Sequence, residues 1–338
     1  MDPIPCMDLF CGVGGFSTGF SAAGFDVRYA VDSSPLVKET FELNHPGAEF
    51  ICSDIRDLDP GDPRFEGIKV VIASPPCQLF SAANCSPDPL AGMRLVNVAR
   101  KWIQVIKPEF WVMENVQQIA GYLDGFYPQK KIIDVADYGI PQHRIRCLSG
   151  SFPVPRPTHA RKAFTNLIGQ GMRRWATVEE TISDLLGVEL KKRAGGHARF
   201  LAPGEKIGVK NHVCFDNLVE FNYDHANREV RLERPAPCIT TKFRCAQKVM
   251  TPWGYRRLTA RECARLQGFP DDFVFHGSLS SQYSMIGNAV PPKMAYIIAM
   301  EIKKEMESME ENEGKTAGLA VDQVEKSRSR PTAQSTLF

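Results

Sequence analysis

The residues best suited to chemistry stand at the ends of short apolar runs. Cys77 follows Pro75-Pro76 in SPPCQLFS (Ser74–Ser81), and the run Ile68–Ala73 delivers it to the edge of a sheet. Two prolines fix backbone dihedrals and present the thiol rigidly, as near-attack geometry requires of a nucleophile. The attacking form is the thiolate, so a cation or a helix N-terminus is expected beside it. Taken alone, a cysteine in such a place serves packing more often than catalysis. The run WVMENV (Trp111–Val116) sets Glu114 and Asn115 at the same edge. Glu114, after four apolar residues, reads either as a buried, hydrogen-bonded acid or as one whose burial lets it carry and donate a proton. In QHRIRC (Gln142–Cys147), Arg144 and Arg146 alternate on one face of an extended segment. Such a pair meets solvent or acids in most proteins; it is equally able to face an anion or a base oxygen.

A second group points to a bound small molecule. DLFCGVGGF (Asp8–Phe16) follows an apolar strand and opens a helix, and glycines 12, 14 and 15 allow a tight turn with close ligand approach. Asp32 lies 20 residues after Gly12 at the end of the next strand, where a carboxylate can bind ribose hydroxyls. Asp54 ends the third apolar run and is placed to accept from an adenine amino group. Three ordinary strand-terminal turns would leave the same pattern. The functional reading is an adenosyl cofactor without pyrophosphate, since the loop departs from GxGxxG and no arginine awaits a phosphate.

These residues need a scaffold that brings strand ends together. Strands are expected at Pro5–Phe10, Val27–Val31, Glu49–Cys52, Ile68–Ala73 and Phe110–Met113. Helices are expected at Phe16–Ala23, Pro35–Asn44, Leu95–Ile106, Thr259–Leu266 and Pro292–Met306. Strands alternating with helices mean βαβ units and a largely parallel, doubly wound α/β sheet. The expected organisation is a first catalytic part over 1–176 and a small recognition domain over 177–250. A returning part follows over 251–311, and then a flexible polar tail over 312–338.

Composition narrows the class. The 338 residues are 43% hydrophobic and 24% charged, enough to bury a core. No apolar stretch approaches the roughly 18 residues of a membrane span, and MDPIPCMDLF is not a secretory leader, so a cytoplasmic protein is expected. The ten cysteines form no CxxC pair, which argues against a zinc ribbon, and no metal is expected. The net charge of +2 hides a polarity: residues 151–250 hold 17 Lys+Arg against 10 Asp+Glu, net +7, leaving −5 for the rest.

Taken in order, DLFCGVGGF, PPCQ, ENV, QHRIR, RECARLQGFP (Arg261–Pro270) and IGNAVPP (Ile286–Pro292) resemble the DNA cytosine-5 methyltransferase family over about residues 5–300. The resemblance implies a Rossmann-like S-adenosylmethionine-dependent fold, and methylation of cytosine in a short sequence of double-stranded DNA. It makes Cys77 the thiolate that adds to carbon 6 of a flipped cytosine. Glu114 would hold ring nitrogen 3 and the exocyclic amine, and Arg146, supported by Arg144, the exocyclic oxygen. Gln78 and Ser81 complete the catalytic set, with Ser81 near the flipped nucleotide. For the cofactor it implies Phe10, Gly12, Gly14, Gly15 and Pro75, with Asp32 and Ser33 at the ribose, Asp54 and Ile55 at the adenine, and Asn288 and Val290 from the C-terminal return. A loop over Ser81–Gly92 would close on DNA. A monomer acting near the nucleoid, within a restriction-modification system, is expected.

The chain also departs from the family pattern. Ser33 replaces the large residue that stacks on adenine in many members, so adenine packing must come from elsewhere. Only about 20 residues separate ENV from Asp137–Gly139, so Gly121–Lys131 is a shortened connection in which one strand is expected to be reduced or lost. TVEETISDLL (Thr177–Leu186) and RPAPCITT (Arg234–Thr241) look like framework, leaving about 187–233 to read a target of roughly four to five base pairs. The closing QSTLF, through Gln334, Leu337 and Phe338, resembles a sliding-clamp-binding peptide. Two other readings are the transfer-RNA branch of the family, whose CFT tripeptide is missing here, and a homologue that binds DNA or a clamp without catalysis.

Overall fold

A computed structural model of the chain describes residues 3–76, 80, 88–165, 171–186, 229–241, 247–251 and 254–328. Among these, seven strands form one sheet in the order β3-β2-β1-β4-β5-β7-β6. They are β1 (Ile4–Leu9), β2 (Phe25–Asp32), β3 (Glu49–Cys52), β4 (Val70–Ala73), β5 (Phe110–Val116), β6 (Gln129–Asp134) and β7 (Ile145–Ser151). The first five run parallel, and β7 is antiparallel to both of its neighbours. The order turns back between β1 and β4, and ligands of open α/β sheets bind in the crevice such a switch creates at the carboxyl ends.

Both faces of the central strands are covered, so β4 (VVIA) and Phe110–Met113 of β5 read as continuous apolar runs rather than alternating ones. On one face Cys6, Val70, Ile72, Val112 and Leu148 pack with α1 (Gly15–Ala22) and the start of α7 (Pro292–Arg328). On the other, Met7, Leu9, Val71, Ala73 and Met113 pack with α3 (Pro89–Ile106), whose Val96, Ala99, Trp102 and Ile103 form its buried stripe. A third core joins α4 (Val178–Leu186), α5 (Ala260–Gln267) and α6 (Leu279–Asn288). Two small sheets complete the described structure. One contains β8 (His159–Ala160), β9 (Phe164–Thr165) and β10 (Gly171–Arg174); the other contains β11 (Glu229–Val230), β12 (Lys248–Thr251) and β13 (Gly254–Arg257).

Three expectations are corrected. The shortened stretch after ENV keeps its strand, β6; the helix is what shrinks, to the 3-10 turn Gln117–Gly121. Pairing to β7 retains the strand, while few residues remain to build a helix. Pro89–Gly92 belong to α3 and not to a loop: Pro89 suits the first helical position, and the Asp88 carboxylate accepts the Ala91 N–H. The polar segment after 312 continues α7 to Arg328, since Glu, Lys, Ala and Leu favour helix and no proline interrupts before Pro331. No described helix is long and apolar enough to cross a membrane.

Candidate active site

Strand ends and returning helices enclose a cavity of about 370 Å³ at the switch point. Its floor is the glycine loop. Phe10 leaves β1 at φ +60°, a left-handed conformation rare for a bulky residue and costing roughly 1–2 kcal/mol, so tertiary contacts must hold it. Gly12, at φ +53°, has nothing within 4 Å on the side where a Cβ would project. Gly15 opens α1 against the C-terminal return, where a Cβ would collide with the Val290 carbonyl oxygen.

Asp32 ends β2 and organises this loop. Its Oδ2 accepts the Gly12 N–H at 2.9 Å and its Oδ1 the Ser34 N–H at 2.8 Å. Each oxygen keeps a lone pair for a ligand hydroxyl. Burial pushes the carboxyl above its ordinary value, and the Ser34 and Gly12 donors oppose that shift. Ser33, Ser34, Leu36 and Val37 continue the wall from the start of α2 (Pro35–Asn44), and Ser281, Ser284, Met285, Asn288, Ala289 and Val290 close it. Leu36 is 69% exposed, an apolar side chain available to a flat ring. Leu36, Val37 and Met285 give the wall beside Ser33 an apolar surface. The sequence reading missed them because an exposed leucine early in a helix carries no motif.

Beneath the loop lies another residue that was missed. Asp8 is fully buried on the α1 face, accepting from Ser17 Oγ at 2.6 Å through Oδ2 while Oδ1 has no partner. Burial pushes this carboxyl up to about 7. Desolvation likewise raises the Cys11 thiol well above its usual range, so this cavity residue is a protonated thiol.

The segment before the expected nucleophile is pinned from both sides. Ser74 donates its N–H to the Leu9 carbonyl at 3.0 Å and its hydroxyl to the Phe10 carbonyl at 2.9 Å. The buried Asn115 amide donates to the Pro75 carbonyl at 2.9 Å. Pro75 and Pro76 then line the cavity. Cys77, Gln78 and Ser81 lie outside the described residues, as do recognition residues 187–228 and the tail Gln334–Phe338.

Glu114 and Arg146 come together. Strands β5 and β7 pair Glu114 with Leu148 and Val116 with Arg146, so both side chains reach the α1 face near the carboxyl edge. Arg146 Nε stands 2.8 Å from Glu114 Oε1, and the two side chains are only 13% and 10% exposed. The contact is an ion pair by distance, and Oε1 receives no aligned hydrogen bond. Glu114 also lines the cavity, so the acid of this pair borders it directly.

Arg144 does not join them. It is 2% exposed and donates to the carbonyls of Gly287 at 3.1 Å and Ala289 at 3.0 Å, clamping the C-terminal return. Gln142 and Gln267 extend the network: Gln142 donates to the Leu266 carbonyl and accepts the Ile239 N–H, and Gln267 donates to the Ala289 carbonyl. Asp54 and Ile55 are also not brought to the cavity. Asp54 caps the 3-10 turn Ile55–Asp57, and its carboxylate is held by Arg56 Nε at 2.9 Å and Nη2 at 2.6 Å, which keeps its carboxyl down at about 2. Ile55 is buried in the α3-side core. Gly14 takes a left-handed N-cap conformation packed on His45, behind the cavity floor.

A family model for C-5 cytosine-specific DNA methylases matches residues 4–304. The chain belongs to this family, and it is a DNA cytosine-5 methyltransferase that uses S-adenosylmethionine as methyl donor. Relatives include the type II methyltransferase M1.HphI of Haemophilus parahaemolyticus, 29% identical and covering 88% of this chain and 86% of that one. Another is the type II methyltransferase M.MthTI of Methanothermobacter thermautotrophicus, 30% identical and covering 89% and 97%. Among solved structures, a DNA modification methyltransferase encoded within an E. coli prophage superposes with a TM-score of 0.64 at 22% identity, covering 89% and 99%. The S. pombe Dnmt2 methyltransferase gives 0.58 at 18%, likewise covering 89% and 99%; both show a shared fold.

The residues present fit the cofactor. The cavity volume falls in the range of roughly 300–1,000 Å³ usual for small-molecule sites. A carboxylate with free lone pairs, an open glycine face and an apolar wall line it together.

Proposed function

We propose that this chain methylates carbon 5 of a cytosine flipped out of duplex DNA within a short recognition sequence. The observation carrying this reading is the Glu114–Arg146 pair on the rim of the cofactor cavity. A flipped cytosine presents there an exocyclic oxygen for Arg146, and a ring nitrogen and amine for Glu114. Asp32 and the Gly12 face hold the adenosyl ribose, and Leu36, Val37 and Met285 pack its base. The bound cofactor supplies an electrophilic methyl group.

Carbon 5 of cytosine is a poor nucleophile. Addition of the Cys77 thiolate to carbon 6 converts the ring to an enamine, while Glu114 supplies a proton at ring nitrogen 3 so that negative charge does not accumulate. Carbon 5 takes the methyl group; water then removes the proton on carbon 5, the Cys77–carbon 6 bond breaks with Cys77 leaving as the thiolate, and the proton on ring nitrogen 3 returns to Glu114, which restores the ring. Splitting one hard step into two easier ones is the general advantage of covalent catalysis. Unstacking the base costs a few kcal/mol, which contacts to the extruded nucleotide and the duplex offset.

Labelled S-adenosylmethionine incubated with duplex DNA or with transfer RNA tests the reading. Label on DNA cytosine that vanishes in Cys77→Ala supports it. Label on RNA alone, or DNA binding without label, refutes it. Docking of Gln334, Leu337 and Phe338 on a sliding clamp is a separate proposal, refuted if deletion of 334–338 leaves clamp binding unchanged.

A further inference from the structure

We propose that the β8–β10 sheet and the cavity beside it grip the phosphate backbone of duplex DNA next to the reacting base, apart from the variable recognition region; this rests on DNA being the substrate. From Ser151 to Val178 the sequence holds no Asp or Glu, yet carries Arg156, Arg161, Lys162, Arg173 and Arg174. The fold gathers these charges. Strand β10 sets Arg173 beside His159 and Arg174 beside Ala160, and Arg161 and Lys162 follow β8 directly. All four of these Arg and Lys side chains are exposed.

Arg161, Arg174 and Arg234 line one cavity of about 590 Å³, and Glu233 is the one carboxylate among its described lining residues. Arg174 also meets Glu180 at 2.7 Å, and Arg234 stands 3.8 Å from Glu233. Cations gathered with so few acids repel one another, and an anion entering among them relieves that repulsion. The field is felt nearby: after burial, Arg173 is a further cause that lowers the Lys293 ammonium.

The platform is also tied to the catalytic edge. Trp175 Nε1 donates to Asp137 Oδ1 at 2.9 Å, the Thr158 N–H donates to the Asp137 carbonyl at 2.9 Å, and the Trp175 ring meets the edge of His143 at 4.8 Å. His143 is in turn fixed by Asp134 at 2.7 Å. It precedes Arg146 by three residues, about 10 Å of extended chain. Exposed Arg and Lys mostly read phosphate rather than base edges, so the grip raises affinity without choosing sequence.

The test measures affinity of the full chain, with S-adenosylhomocysteine present, for a mixed-sequence duplex and for transfer RNA between about 50 and 200 mM salt. Combined Arg161→Gln, Lys162→Gln and Arg173→Gln should lower the slope of log affinity against log salt by about 2–3, near 0.9 for each phosphate no longer neutralised. Lys69→Gln, which removes a cation just before β4 at the opposite sheet edge, should leave the slope unchanged. S-adenosylhomocysteine binding by calorimetry checks the fold of each variant. If the triple variant fails that check, Arg161→Gln alone should lower the slope by about 0.9. An unchanged slope in a folded variant, or a loss confined to transfer RNA, overturns the proposal. Failure of the unaltered chain to bind any duplex overturns the DNA reading and this surface with it.

Discussion

At the β1–β2 end of the carboxyl edge the site is made largely of backbone. Gly12 and Ser34 N–H groups orient Asp32, the Val290 carbonyl lies against Gly15, and the glycine loop lets a ligand approach the main chain. At the β5–β7 end it is made of side chains. Glu114 and Arg146 face each other, and Asn115, Gln142 and Arg144 tie neighbouring segments together through buried hydrogen bonds. Under the proposed function the contrast follows from what each end binds. An adenosyl cofactor is the same in every turnover and can be met by shape and fixed dipoles. On the proposed mechanism a cytosine enters, changes its proton and charge state, and leaves, which calls for ionisable groups held in place.

The largest expected effect lies at the side-chain end. Glu114→Gln should lower kcat about 10²- to 10⁴-fold, the usual range for a lost acid–base group, and leave S-adenosylhomocysteine affinity nearly unchanged. A parallel loss of cofactor affinity would erase the division between the two ends. Arg144→Met should cost about 2–3 kcal/mol of stability in a denaturant titration, because the Gly287 carbonyl loses its donor inside the protein. An unchanged midpoint would mean that the clamp contributes nothing.

At the backbone end, Gly15→Ala should weaken S-adenosylhomocysteine binding about tenfold by calorimetry, since about 1–3 kcal/mol of overpacking falls on Val290. Equal affinity would show that the return segment is free to move aside. The smallest effect concerns Asp8. Its carboxyl, raised by burial to about 7, binds its proton more tightly folded than unfolded, so its contribution favours folding at low pH and fades as pH rises from about 4 through 7. Asp8→Asn should therefore gain stability relative to the unaltered chain between pH 6 and pH 8, by about 1–2 kcal/mol in thermal melts at the two pH values. A constant difference between the two chains would refute this.

The backbone end was the more legible in sequence, because glycines and strand-terminal acids mark positions where backbone conformation matters. Helix Pro35–Asn44 and strand Glu49–Cys52 match the structure at both ends. At the side-chain end, residue types were legible but partners were not. Arg144 and Arg146 look alike in QHRIR, and only the fold turns one towards Glu114 and the other into the Gly287 and Ala289 carbonyls. Asp54 has a partner the motif did not announce, since an arginine two residues on competes for any carboxylate capping so short a turn. Leu36, Met285 and Ser284 were invisible because their role arises from α2 and α6 meeting across more than two hundred residues of chain.

That meeting has a consequence for how the protein comes into being. The cofactor cavity needs residues 10–37 together with 281–290, and Thr40 and Asn44 bond to the segment just before α6. A ribosome must therefore release most of the polypeptide before the pocket can exist, and contacts of such sequence separation form slowly. The emerging N-terminal strands cannot borrow ligand stabilisation while they wait, because only the completed pocket binds ligand. Birth and maturation are thus separate events for this enzyme, and the nascent chain spends the interval between them dependent on its sheet and the early helices packed on it.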